Sequence, residues 1–99
     1  MLDKVKTALR IKTNAFDGEL SDLIAAAVDD LGIAGVINLV ENPEAQPVVY
    51  VPLAIRAIIT YCKVHFGQPS DDEFKRLKAS YDEQKAQLQT ATGYTNWGE

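Results

Sequence analysis

Apolar residues return along this chain at three- and four-residue steps in four separate stretches, so the pattern predicts four helices. Leu2, Val5 and Leu9, with Ala8 beside them, give a short helix over about 2–10 with one apolar edge. Thr13 to Gly18 supplies turn residues, with Asn14 and Asp17 as candidate N-caps, and Leu20, Leu23, Ile24, Ala27, Val28 and Leu31 then trace a second helix over about 18–31. Gly32 and Gly35 are placed to close it. Over about 52–66 the pattern changes: Arg56, Thr60 and Lys63 fall on one narrow stripe, and Leu53, Ile55, Ile58, Ile59, Tyr61, Cys62, Val64 and Phe66 cover most of the remaining circumference. Such a helix must be nearly surrounded by the others. Pro52 suits a first helical turn, and Gly67 with Pro69 stops the run at its other end. A fourth helix over about 71–90 opens on Ser70-Asp71-Asp72-Glu73, a capping-box sequence, and buries a narrow stripe of Phe74, Leu77, Tyr81 and Leu88 interrupted by Gln84. Asp71 with Lys75 and Asp72 with Arg76 are spaced to pair along its wet face.

Two stretches do not fit the bundle. Between 33 and 51, Val36-Ile37-Asn38-Leu39-Val40 and Val48-Val49-Tyr50-Val51 are β-branched and apolar around a turn-rich centre, which predicts a short β-hairpin or a long loop. An isolated hairpin is scarcely stable in water, so its apolar edges either fold back on the helices or pair with another molecule. After Gly93, which is placed to end the fourth helix, Tyr94 and Trp97 put two large rings on a terminus. Rings of that size dock on something, whether this chain or a neighbour.

Composition narrows the function. A chain of 99 residues, 46% hydrophobic and 24% charged, builds one core and not two. A formal charge of −4 argues against a broad phosphate-neutralising face. Local exceptions matter: Lys4, Lys6, Arg10 and Lys12 make the first helix basic against Asp3 alone, a solvated face or a contact for DNA or a partner. Asp29 and Asp30 crowd the negative end of the second helix, where solvation or a cation from elsewhere would relieve them. The single cysteine, Cys62, reads as a packed, reduced thiol of a cytoplasmic product, and the N-terminus starts an amphipathic pattern without an export signal.

Catalytic chemistry is not visible. His65 is the sole histidine and reads as packed or helix-capping, since no nucleophile stands in a pattern that it would activate. Cys62 and His65 are spaced to touch one metal, but two ligands do not make a site. No glycine-rich phosphate cradle or cysteine cluster is present, so no catalytic, cofactor-binding or metal residues are assigned and no cofactor is expected.

Four features line up with a known pattern: the opening Leu2-Asp3-Lys4-Val5-Lys6-Thr7-Ala8-Leu9-Arg10-Ile11; the Phe16-Asp17-Gly18-Glu19-Leu20 turn into Leu23-Ile24-Ala25-Ala26-Ala27; Pro52 to Ile58 through Tyr61 to Phe66-Gly67; and Tyr81. Together they resemble the head-tail connector, or head-completion adaptor, family of tailed bacteriophages and prophages. The resemblance implies a structural subunit that assembles as a homo-oligomeric ring under the portal after DNA packaging. The ring would extend the channel, let DNA pass without specific contact, and receive the next tail-side connector or stopper protein. It further implies portal anchors at Tyr94, Thr95, Asn96 and Trp97, and a ring or tail-side contact at Val48, Val49 and Tyr50. An acidic chain suits a channel past which DNA must slide.

The expectation is therefore a mainly α, small four-helix bundle around a central apolar helix, with a long loop or short β-hairpin between its second and third helices. Residues 1–92 form one domain and 93–99 a partner-binding tail. The location expected is the virion's head-tail interface, and the host cytoplasm during assembly, with no membrane contact. The alternative is a small cytoplasmic helical regulator or nucleic-acid-binding module, supported mainly by the basic first helix.

Overall fold

The computed structural model describes residues 1–36, 39–40, 50–67 and 69–90. Four helices follow one another: α1 (Leu2–Leu9), α2 (Asp17–Ile33), α3 (Pro52–His65) and α4 (Asp71–Thr90). α3 packs against each of the other three, so the bundle is organised around it. Its turns place Ala54, Ala57, Ile58, Cys62 and Val64 in the interior, and the two alanines let neighbouring helices come close. Leu20, Ala27 and Leu31 of α2, Val5 of α1, and Tyr81 and Leu88 of α4 complete the buried cluster.

The helix ends show how the sequence sets the boundaries. Arg10 stops α1 in the left-handed region (φ 60°, ψ 39°), and the Ile11 N–H donates back to the Lys6 carbonyl at 2.9 Å. An L-residue in that conformation costs about 1–2 kcal/mol, which glycine would avoid. α2 starts one residue earlier than its apolar pattern and runs two residues further. Neither Asn14 nor Asp17 caps it: the N-cap position is Phe16, and no side chain caps the helix there. Asn14 and Asp17 are instead held by one cation, Lys6, whose Nζ lies 2.8 Å from Asn14 Oδ1 and 2.9 Å from Asp17 Oδ1. Gly32 lies inside the helix. The stop belongs to Gly35 (φ 89°), after which the Val36 N–H donates to the Leu31 carbonyl at 3.0 Å.

Four further expectations change. Thr60 is buried rather than part of a wet stripe with Arg56 and Lys63, because its hydroxyl donates to the Arg56 carbonyl one turn back at 3.0 Å and needs no water. Phe74 is 41% exposed and only half of the capping box forms, the Glu73 N–H donating to Ser70 Oγ at 3.2 Å. The ion pair on the wet face of α4 is Lys78–Asp82 at 3.4 Å, rather than Asp71–Lys75 or Asp72–Arg76.

Between α2 and α3 the described residues contain no strand. Val40 and Tyr50 make an isolated antiparallel bridge, and the Val51 N–H donates to the Leu39 carbonyl at 2.8 Å. Val36 is buried, and Leu39 and Tyr50 pack on the core, so both ends of this connection fold back onto the helices. Of the hairpin or loop expected over 33–51, positions 37–38 and 41–49 lie outside the described residues, as does the tail 93–99.

Candidate assembly surfaces

Of the residues singled out for assembly, Tyr50 is the one the structure describes. It is half-buried, bridged to Val40 and packed against the core at the mouth of the 41–49 segment. Part of its ring therefore packs within the subunit, and the rest stays open. Val48 and Val49, and Tyr94, Thr95, Asn96 and Trp97, lie outside the described residues.

The most concentrated polar cluster joins α2, α3 and α4. The Tyr81 hydroxyl donates to Asp30 Oδ2 at 2.5 Å, Lys85 Nζ lies 3.4 Å from the same oxygen, and the Lys85 ammonium stands 5.3 Å from the Tyr81 ring centroid. Tyr61 meets Tyr81 edge-on at 5.3 Å, and on its other side lies 4.3 Å from the His65 ring. Around these groups is a cleft of about 270 Å³, lined also by Val64 and Lys78. The Tyr81 hydrogen bond, helped by the charge of Lys85 against some burial, holds the Asp30 carboxyl below its ordinary range. Burial, then the Asp30 contact, pushes the Tyr81 phenol well up. Tyr61 is raised by burial and by the same carboxylate.

For Asp30, though not for Asp29, the relieving cation comes from within the chain, Lys85, one turn along α4 from Tyr81. The spacing of Tyr81 and Lys85 was the available signal, but only tertiary packing shows which acid they face. The cluster fastens the helices to one another. Its acid is already paired with Tyr81 and Lys85. His65 is exposed against Tyr61, whereas Cys62 points inward and its burial raises the thiol to about 11, so the two do not converge on a metal. Among the described residues, no group of three or more His, Cys, Asp or Glu is placed to hold one. No described helix is long and apolar enough to cross a membrane.

Among the described residues, two exposed apolar features bear on assembly. An apolar groove runs between α1 and α3, with Ile55, Ile59 and Ala8 in its floor and Asp3, Lys4 and Thr7 along it. So the central helix is less enclosed than its sequence predicts. At the far end of α2, Ile33 stands 87% exposed, the most exposed of the large apolar side chains described. Phe16 is also partly exposed, but its ring meets Phe66 edge-on at 5.4 Å.

The comparisons with known proteins agree with a structural role. The family model described as phage connector protein matches residues 1–95, nearly the whole chain. No curated protein and no solved structure matches. The family is one of structural phage proteins that act with head and tail components. A helical bundle fastened by internal polar contacts, matched to that model almost from end to end, belongs to the phage head-tail connector family.

Proposed function

We propose that this chain is a subunit of a ring that sits under the portal, extends the DNA channel and links the head to the next tail-side connector or stopper protein. The family match over residues 1–95 supports it. Among the described residues, the buried cluster from Val5 to Leu88 is built by all four helices, a frame suited to a structural subunit. Tyr94 and Trp97, two large aromatics close together near a terminus in the sequence, suit anchoring on a partner. In this reading Tyr94, Thr95, Asn96 and Trp97 grip the portal, while Val48, Val49 and Tyr50 meet a ring neighbour or the stopper. The subunit assembles in the host cytoplasm, ends in the virion, and works without catalysis or a cofactor.

The nucleic-acid-binding alternative loses part of its basis, because Lys6 is spent on Asn14 and Asp17 inside the subunit. The test is co-migration of the purified chain with the portal protein of its own phage, by gel filtration with light scattering. The full chain is expected to co-migrate and a chain lacking residues 93–99 to fail, with the helical circular dichroism of both alike. Unchanged portal binding after truncation refutes the anchor. Salt-sensitive binding of duplex DNA by the lone subunit would favour the alternative.

A further inference from the structure

Two helices of this subunit carry opposite charge balances. α2 carries Asp17, Glu19, Asp22, Asp29 and Asp30 and no basic residue. The first twelve residues carry Lys4, Lys6, Arg10 and Lys12 against Asp3. Internal contacts use Lys6 with Asp17, and Asp30 with Lys85 of α4. Glu19, Asp22 and Asp29 on α2, and Lys4, Arg10 and Lys12 on the other side, are left exposed.

Asp22, Asp29 and Ile33 are seven and four residues apart, which puts them on one face of α2, with Asp29 about 6 Å along the axis from Ile33. The α1–α3 groove has the matching arrangement: two isoleucines one turn apart, Ile55 and Ile59, with Lys4 alongside. Among the described residues, Asp3 is the one acid lining it. An exposed apolar knob beside acids on one element thus faces, in kind, an apolar groove beside a base on another. The two patches differ, so one copy cannot satisfy the other by two-fold symmetry. Each copy offers a knob and a groove, which is the requirement for a head-to-tail chain that closes into a ring.

We infer that Ile33 of one copy seats in the Ile55–Ile59 groove of the next, with Asp29 reaching Lys4 across the contact. The inference rests on the ring reading and names the surfaces that build it.

The test uses the full chain, alone and with its own phage's portal protein. In an Ile33→Cys/Ile59→Cys double variant, mild oxidation is expected to give a ladder of disulfide-linked multimers on a non-reducing gel. Native Cys62 is buried and contributes none. Ile33→Cys alone should give no ladder and no dimer; a dimer from that variant means a symmetric contact and overturns the inference. Asp29→Lys should raise the concentration needed for assembly about tenfold or more, and Lys4→Asp in the same chain should restore it. Because both positions are exposed, the folded subunit should keep its helicity. Assembled multimers with neither ladder nor charge rescue overturn this interface and leave the ring standing. A monomer mass in every mixture, portal included, overturns both.

Discussion

Tyr81 of α4 and Asp30 of α2 share a hydrogen bond of 2.5 Å between residues 51 positions apart, and Lys85 sits on the same carboxylate oxygen. α2 and α4 make few other contacts, since each packs mainly on α3. The pair therefore ties together two helices that otherwise meet through the central one. Gln89 adds a second tie, its Nε2 donating to the Ala34 carbonyl at 2.8 Å.

Removing the phenol alone isolates this tie. Tyr81→Phe keeps the ring packed against Tyr61 and deletes the donor to Asp30. The expected loss is about 1–2 kcal/mol, at the lower end because Asp30 keeps Lys85 and is reached by water. Urea unfolding followed by circular dichroism measures it. An unchanged midpoint would mean that the bond adds nothing net.

The same contact gives stability a pH signature at both ends. The folded Asp30 carboxyl titrates below its ordinary value of 3.8, so its contribution is complete above that pH and fades as pH falls through the lower, folded value. The folded Tyr81 phenol titrates above its ordinary value of 10.0, so its contribution is complete below pH 10 and declines as pH rises beyond it. Asp30→Asn should flatten the acid limb of the difference from wild type, and Tyr81→Phe the alkaline limb. Midpoints of thermal unfolding from pH 2 to 11 test both.

Cys62 has no exposed surface, and burial raises its thiol to about 11. Two barriers then oppose reaction at pH 8, access and thiolate supply. A disulfide reagent such as dithionitrobenzoate is expected to label it only at the rate of unfolding, and at once in denaturant. Fast labelling of the folded subunit would show that α3 opens locally.

Lys6 is the clamp between α1 and the start of α2. Lys6→Met keeps the stem and deletes the ammonium that holds Asn14 and Asp17. The expected cost is about 1 kcal/mol, more than a fully exposed pair because the lysine side chain is only 14% exposed. Hydrogen exchange should accelerate in α1 before it does in α3, and added salt should reduce the difference from wild type.

The helices were legible because each carries its own periodicity and stop signal. Pro52 and Gly67 bracket α3 in both the sequence and the structure. Legibility failed where a side chain's partner comes from another element. Thr60 hides among polar positions until its hydroxyl is seen turned to its own helix. Asn14 and Asp17 are good capping residues by type, but Lys6, eight positions before Asn14, competes for them. Asp30 looked unrelieved because its cation lies 55 residues away. Ile33 read as the start of a loop, since a terminal isoleucine shows its exposure only once the turn at Gly35 is in place.

The bridge from Val40 to Tyr50, with the Leu39 to Val51 hydrogen bond beside it, brings exit and re-entry of the connection to neighbouring points on the bundle. Doubling the number of residues strung between such fixed points adds only about 0.6 kcal/mol of closure entropy. Lengthening or shortening 41–49 by a few residues should therefore cost the helical frame little stability.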